Sequence, residues 1–414
     1  RANTGNGFYL GPIPAYHRRV EPAGPASARG NRVCGPGPGS PGRLIITFGA
    51  QMTGFSQIIL HAGLSKTGTT SIQDNCSTHR EFLRERGVHY PLFRFGKHCF
   101  RNHSIPLTVA VCAAPGQYGL GLRRRFGDDV PQMKAACRAQ FDALLRDAPG
   151  ETLVLSTELL ESWCDEDLQA LRQRLLQGTD SLRVIAYIRS PQSALESTLQ
   201  ERAKAGAMPA PADIVGRVRD KYLRLERNFE WALECVDFHR AQEAPGGLVG
   251  SFFSLAGIRP AETSGLDYRV SNRRLSVEAF RLLSAVNRQF PRREQHRHGV
   301  TRFAGDLDLL AELPGQPFSL RDYPDPDLRA QVLEETLWLE QQLGYSFPQE
   351  PTAPPAILWR EETVRALEPL LQRIDDQQIR TCIADFLCAE GRVLQAAGRE
   401  EAPRLLSLAG GHAA

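Results

Sequence analysis

A short stretch around residue 66 combines the residue types that bind an oxyanion. The apolar run "IILHAGL" (58–64) is followed at once by Ser-Lys-Thr-Gly-Thr-Thr and then by a sequence compatible with a helix. A strand, a glycine-containing loop and a helix in this order direct backbone N–H groups and the positive end of the helix at one point, which suits phosphate or sulfate. The alternative is a loop that only turns the chain.

The position of the lysine separates this loop from a Mg-ATP loop. A Walker loop has its lysine directly after the second glycine, and the next hydroxyl holds Mg²⁺. Here Lys66 precedes Gly68, and Thr69 and Thr70 follow it. The lysine therefore lies on the entry side of the loop, and we expect an anion site that works without a metal ion.

A second anion site is indicated further along the chain. The stretch "VIAYIRSPQSALESTLQER" (184–202) reads as a buried strand that passes directly into a helix, because Ser190 is a good N-cap and Pro191 suits the first helical position. Arg189 then stands at the end of the strand, in the crevice where open α/β sheets bind ligands. Ser197 follows eight positions later, roughly 10 Å into the helix. An isolated arginine after a strand more often forms a surface ion pair. The prediction of a second anion site therefore depends on the first motif being present in the same chain.

The first motif resembles the 5′-phosphosulfate loop of the sulfotransferases, usually a Lys-Ser/Thr-Gly-Thr-Thr run after a strand. The resemblance implies 3′-phosphoadenosine-5′-phosphosulfate as the donor cosubstrate, with no metal. The donor-binding residues that it implies are Lys66, Thr67, Gly68, Thr69 and Thr70. Lys66 is then also catalytic, because it stabilises the negative charge that develops on the leaving 5′-phosphate.

The second motif is similar to the 3′-phosphate motif of the same family. On this resemblance Arg189 and Ser197 bind the donor's 3′-phosphate, the group that distinguishes this donor from ordinary adenine nucleotides. The similarity covers about residues 56–290, is strongest at the two motifs and is weak elsewhere. The branch that it suggests is the bacterial sulfotransferase-like one. In the same stretch Arg274 either approaches the anions or lies in a basic solvated turn before Ser276, which is a suitable N-cap.

Two side chains are candidates for the base that takes the acceptor's proton. Glu158 ends the strand pattern "LVLSTELL" (153–160), although an acidic residue at a helix N-terminus is an equally good interpretation. His103 is the second candidate, because histidine titrates near neutral pH. A histidine in an irregular segment is more often structural. His61 and His89 rank below both.

The elements that must position these residues alternate between strand and helix. Three strand-then-helix units from residue 56 onward predict an α/β fold: a P-loop-type, doubly wound parallel sheet flanked by helices. Beyond Pro211 the sequence is mainly helical, apart from a strand near "CVDF" (235–238). We assign residues 52–347 to this sulfotransferase-like domain.

The two ends of the chain have a different character. Residues 1–51 are rich in Gly, Pro and Arg without strand or helix periodicity, which predicts a disordered tail. Residues 348–414 read as a Pro-rich linker followed by amphipathic helices. Trp359 and the leucines at 367, 370 and 371 form a packing stripe on the first of these helices. The helices could also join two copies into a homo-oligomer.

The composition of the chain limits the classes of partner that we expect. A formal charge of only +3 does not favour nucleic acid, and no apolar run in the sequence reaches the length of a membrane span. The nine cysteines are scattered, with no CxxC pair or metal-type cluster, so we expect reduced thiols in a cytoplasmic protein. The expected partner is a small-molecule or glycan acceptor.

These observations favour a sulfotransferase that moves a sulfuryl group from its donor to a hydroxyl or an amine by in-line transfer. Two alternatives stay open. A P-loop nucleotide kinase or NTP hydrolase would share the fold, and a catalytically inactive sulfotransferase-like protein would bind the donor product without transferring sulfate.

Overall fold

A parallel β-sheet forms the centre of the protein. The strands in the described residues are β1 (Gln57–Gly63), β2 (Val88–His89), β3 (Phe93–Phe95), β4 (His98–Phe100), β5 (Thr152–Glu158), β6 (Leu182–Ile188) and β7 (Leu233–Asp237). Five of them make the parallel sheet, in the order β2-β5-β1-β6-β7, and β3 pairs with β4 in a separate antiparallel hairpin. Because β1 lies in the middle, the loop that follows it opens at the centre of the sheet edge.

The computed structural model describes residues 54–118, 120–146, 151–207, 217–263, 265–266, 268, 274–291, 309–322, 326–348 and 358–412. All of these belong to one unit of the chain, which runs from Ala50 to Ala414. The tail expected at 1–51 and nearly all of the Pro-rich linker lie outside the described residues.

Helices lie between and after the strands. They are α1 (Thr69–Thr78), α2 (Arg80–Arg84), α3 (Ser104–Val111), α4 (Leu122–Phe126), α5 (Val130–Arg146), α6 (Asp165–Leu176), α7 (Pro191–Lys204), α8 (Arg217–Phe229), α9 (Phe238–Glu243), α10 (Gly247–Leu255), α11 (Val277–Gln289), α12 (Pro326–Leu343), α13 (Glu361–Gln372), α14 (Gln377–Ala396) and α15 (Ala402–His412). None of the helices that the structure describes is long and apolar enough to cross a membrane.

Both faces of the sheet are covered, as a doubly wound α/β fold requires. Along β1, Ile58 and Leu60 are buried with α3, α5 and α6, whereas Ile59 is buried with α1 and α10 on the opposite face. Successive side chains of a strand point to opposite faces, so the continuous apolar run of β1 serves two hydrophobic cores. The expectation of an α/β fold with a parallel sheet and a mainly helical C-terminal region is confirmed.

The C-terminal helices share a third core with the sheet domain. This core joins α7 and α11 to α13, α14 and α15, and Trp359 and Leu367 are fully buried in it. The stripe predicted on the first terminal helix thus packs against helices of its own chain. Leu195 and Leu199 of α7 lie in the same core, so this packing also fixes α7.

Local sequence signals mark several helix boundaries. The Ser190 hydroxyl accepts a hydrogen bond from the Ser193 N–H at 3.3 Å, and the Ser276 hydroxyl accepts one from the Ala279 N–H at 3.0 Å, which confirms both N-caps. The helix expected after the loop is interrupted: α1 ends before His79, where the backbone leaves the helical region (φ −97°, ψ 24°), and the short helix α2 begins after it.

The Ser190→Ala variant tests how far the N-cap stabilises α7. We expect the free energy of unfolding to fall by about 1 kcal/mol, because the first turn of the helix loses a hydrogen-bond acceptor for its N–H groups. Urea unfolding measures it. Ser254→Ala, at an exposed position inside α10, is the control and should change stability by less than about 0.5 kcal/mol. Equal losses in the two variants would contradict the capping role.

Candidate functional site

A large cavity opens at the carboxyl ends of β1, β5 and β6. Its volume is about 690 Å³, and its walls come from the loop after β1, the end of β5, helix α7 and the region of α9 and α10. The sequence-derived residues that line it are Lys66, Gly68, Thr69, Thr70, Glu158, Arg189 and Ser197. The two motifs, which lie far apart in the chain, therefore face one space, called the large cavity below.

Thr67 is the donor-loop residue that points elsewhere. Its side chain is buried, and its hydroxyl donates a hydrogen bond to the Leu64 carbonyl at 2.8 Å. This bond closes the loop upon itself, so Thr67 shapes the loop rather than lining the large cavity.

The loop has the backbone of an anion cradle. Gly68 has φ +71° and is the N-cap of α1, with no side-chain cap for the first helical N–H groups. Those N–H groups, at the positive end of a ten-residue helix, are available to an anion. The Thr69 Oγ1 atom is buried without a hydrogen-bond partner, which is costly unless a ligand supplies one.

Close packing explains the glycines on both sides of the lysine. A Cβ atom on Gly68 would lie 2.3 Å from the Leu248 side chain, and one on Gly63 would lie 2.3 Å from Thr69 Cγ2 and 2.5 Å from its Oγ1. Gly63 needs glycine because its backbone lies close to Thr69, and Gly68 is favoured as glycine by its positive φ of +71°. A side chain at 63 would push Thr69 out of the cradle.

Arg189 and Lys66 are joined through the backbone. Arg189 Nη1 donates to the Lys66 carbonyl at 2.8 Å, and Nε donates to the Ser193 hydroxyl at 2.7 Å. Lys66 itself has φ +69°, in the left-handed region that non-glycine residues seldom adopt. The Lys66 ammonium forms an ion pair with Glu201 of α7. The end of β6 thus helps to hold the strained residue of the β1 loop.

Positive charges are crowded at this end of the large cavity. Burial lowers the pKa of Lys66, and the neighbouring Arg189 and Lys204 lower it further. Burial lowers the pKa of Arg189 to about 10, and Arg274 adds to that shift. Cations held close together repel one another, and a bound anion relieves this repulsion. Arg274 is exposed to solvent and also lines the large cavity.

Glu158 occupies the position expected of it, at the end of β5 and paired in register with Gly63. Burial raises the pKa of its carboxyl, nearby Glu161 raises it further, and Lys66 opposes the shift. Glu161 follows in a short turn and accepts a hydrogen bond from the Ser65 hydroxyl at 2.8 Å. Its ion pair with Lys221 measures 3.2 Å.

His103 lies away from the large cavity, buried beneath the sheet edge. Its Nδ1 accepts from the Ser156 N–H at 3.0 Å, and its Nε2 donates to the Pro91 carbonyl at 2.8 Å. Burial lowers the pKa of the ring to about 4. Both nitrogens of the neutral ring are engaged with backbone, which is a structural role. His61 is buried within β1, and burial lowers its pKa to about 3.

Several lining residues were not among the sequence candidates. They are Ser65, Glu161, Glu196, Gln200, Glu201, Lys204, Phe238 and Tyr268. Four of them lie on α7, and helical spacing around Ser197 could have identified Gln200, Glu201 and Lys204. Phe238 and Tyr268 carry no such signal, since their elements reach the cavity only through the tertiary fold.

Comparisons of the chain with protein-family models, with curated proteins and with solved structures gave no match. The described residues also contain no group of three or more His, Cys, Asp or Glu side chains arranged to hold a metal ion. The large cavity thus combines an oxyanion cradle, a cluster of cations and a carboxyl of raised pKa at one edge of the sheet.

Gly63→Ala tests the cradle. The added methyl group would displace the Thr69 side chain, so we expect adenosine 3′,5′-bisphosphate to bind at least about tenfold more weakly by calorimetry. Gly116→Ala is the matched control, since its Cβ meets nothing within 4 Å. Circular dichroism should show both variants folded. Wild-type affinity in Gly63→Ala would mean that the ligand does not use this loop.

Proposed function

We propose that the protein is a sulfotransferase that uses 3′-phosphoadenosine-5′-phosphosulfate as donor. One observation carries the proposal: the loop containing Lys66 and the pair Arg189 and Ser197 line the same cavity. A donor with anionic groups at two separated positions needs both sets of residues facing one space. The volume of about 690 Å³ lies within the range of small-ligand pockets.

The phosphosulfate is assigned to the N-terminus of α1. The N–H groups of its first turn, the hydroxyls of Thr69 and Thr70 and the ammonium of Lys66 would hold its oxygens. The 3′-phosphate is assigned to Arg189 and Ser197. Both groups are recognised by charge-assisted hydrogen bonds, which are the strong ones.

The adenine ring is assigned to the aromatic part of the large cavity. Phe238 and Tyr268 line this part, together with the aliphatic side chain of Leu248. The Tyr268 hydroxyl is buried without a hydrogen-bond partner, so a polar atom of a bound base would satisfy it. Arg189 lies 5.0 Å from the centre of the Phe238 ring, which brings the base site next to the 3′-phosphate site.

The reaction is an in-line displacement at sulfur. The acceptor's oxygen or nitrogen forms a bond to sulfur while the bond from sulfur to the 5′-phosphate oxygen breaks. Negative charge develops on that leaving oxygen, where Lys66 and the N-terminus of α1 stabilise it. The acceptor's proton passes to Glu158, whose raised pKa brings it nearer to neutral pH and makes it a better base.

Nucleotide binding separates this function from that of a kinase or NTP hydrolase. By calorimetry we expect adenosine 3′,5′-bisphosphate to bind at least about tenfold more tightly than ATP with Mg²⁺, because the 3′-phosphate gains charge-assisted hydrogen bonds. The Lys66→Ala substitution should weaken the binding of both adenosine 3′,5′-bisphosphate and adenosine 5′-phosphate. Ser197→Ala, which leaves the hydrogen bond from Arg189 to the Lys66 carbonyl in place, should weaken binding of the bisphosphate more than binding of the 5′-phosphate. A wild-type preference for ATP with Mg²⁺ would refute the proposal.

The pH dependence of transfer tests Glu158. Glu158 must be ionised to accept a proton, and its pKa is raised above the usual value for glutamate. We therefore expect kcat/KM to fall as the pH drops through this raised pKa. Glu158→Gln should remove this acidic limb and reduce kcat by about 10²–10⁴, with bisphosphate affinity kept. If the variant retains the wild-type pH profile, another group is the base. Bisphosphate binding without transfer to any acceptor by the wild type would favour the inactive binding protein.

A further inference from the structure

The positive charge of the chain is concentrated in one short region. Residues 91–140 contain eight Lys or Arg and two Asp residues, a net charge of +6, whereas the whole chain carries only +3. The remainder of the chain is therefore net negative. A local excess of one sign in a nearly balanced chain is typical of a surface that binds a partner of the opposite sign.

The hairpin of β3 and β4 separates its aromatic side chains from its cations. Phe93, Phe95 and Phe100 pack against the core that lies under this side of the sheet. Arg94 stands between two of them on β3, so its side chain points to the opposite face and is exposed. The exposed cations of the hairpin and the residue after it are Arg94, Lys97 and Arg101.

Helix α4 lies beside this hairpin. The centre of the Phe126 ring is 5.0 Å from that of His98 and 6.2 Å from that of Phe100, and Leu122 is buried in the same core. Positions 122 and 126 are four apart, so they share the inward face of the helix. The three residues between them are Arg123, Arg124 and Arg125, and all three are exposed.

These six cations together are called the basic surface below. None of them forms an ion pair in the part of the chain that the structure describes, whereas Arg183 and Arg219 pair with glutamates at 2.6 and 3.1 Å. The acids that follow α4 are Asp128 and Asp129, which are exposed and leave an excess of four positive charges. Like charges held close together repel one another, and an anionic partner relieves this repulsion.

The shape of the basic surface limits the partner. None of its six cations lines the large cavity or the smaller cavities beside α7 and β2, so the surface does not enclose a small anion. Its aromatic rings face the core, which leaves nothing for unpaired bases to stack on. Helix α4 has five residues, roughly 7.5 Å of helix, which is too short to read a major groove.

The chemistry of the exposed side chains narrows the partner further. Five of the six cations are arginines, whose planar fork pairs bidentately with phosphate and carboxylate groups. None of the exposed large hydrophobic side chains of the described residues belongs to the basic surface, so nothing on it would insert among acyl chains. The surface therefore fits a broad array of anionic groups that it touches from outside.

We propose that the basic surface binds the headgroups of an anionic phospholipid membrane, peripherally and without insertion. Such headgroups present phosphate and carboxylate groups over a plane, so cations carried by a hairpin and by a neighbouring helix meet them at the same time. Each Lys or Arg near an anionic leaflet adds to the attraction. The attraction is electrostatic and acts over about 10 Å at 0.1 M salt. It is independent of the nucleotide site.

The test is co-sedimentation of the full chain with unilamellar vesicles, made of phosphatidylcholine alone or with one third phosphatidylserine. At about 0.1 M NaCl we expect binding to the phosphatidylserine vesicles only, and loss of that binding at about 1 M NaCl. The triple variant Arg123→Gln, Arg124→Gln, Arg125→Gln should lower the partition coefficient at least about tenfold. The double variant Lys97→Gln, Arg101→Gln should lower it in the same direction.

A control variant removes the same charge elsewhere. It combines Arg288→Gln, Arg373→Gln and Arg392→Gln, three exposed positions without an ion pair in the described residues. We expect its partition coefficient to stay within about twofold of wild type, because these positions lie outside the basic surface and contribute little to its local field. Circular dichroism should show all variants folded, and the Kd of adenosine 3′,5′-bisphosphate should be the same in all of them.

Three results would overturn the proposal. Equal binding to both kinds of vesicle would show that the attraction is not electrostatic. Equal losses in the two triple variants would show that total charge matters rather than its location. Binding of heparin or duplex DNA at the same salt, lost in the Arg123→Gln, Arg124→Gln, Arg125→Gln variant and not accompanied by vesicle binding, would assign the surface to a linear polyanion instead of a membrane.

Discussion

The hydrogen bond from Arg189 to the Lys66 carbonyl is the contact on which the arrangement of the site depends. It joins the carboxyl end of β6 to the loop after β1, two neighbouring strands at the middle of the sheet. Lys66 has a left-handed backbone, and such a conformation persists only where surrounding contacts hold it. The same arginine is therefore both a wall of the large cavity and the support of the loop opposite.

Packing far from the cavity supports this contact. Helix α7 starts directly after Arg189, and its apolar face is buried with α11 and the C-terminal helices. That core holds α7 in place, so Ser197 and Glu201 keep their positions at the large cavity. The C-terminal helices thus act on the site through α7, although none of the described residues of α13, α14 and α15 lines the large cavity.

Much of the fold could be predicted from local sequence, because β1, β5 and β6 contain apolar runs and α7 and α11 carry clear N-caps. The break at His79 could not be predicted, since no strong local signal marks it. At the site, the spacing of residue types along the sequence identified the motif residues that line the large cavity. Phe238 and Tyr268 could not be identified in this way, because they reach the cavity only through contacts between distant segments. His103 shows the converse: its backbone N–H donates to the Ser156 carbonyl at 3.0 Å, a tertiary contact that turns a candidate base into a structural residue.

The charge arrangement around Lys66 is suited to an exchange of partners. Its ammonium pairs with Glu201, but the Glu201 side chain is 59% exposed, and ion pairs with such exposure contribute only roughly 0–1 kcal/mol. A buried, charge-assisted hydrogen bond to an oxyanion is stronger. An anion in the cradle would therefore draw Lys66 from Glu201 at small cost. Because Glu201 also lines the large cavity, its release would change the electrostatic environment along the wall that α7 provides.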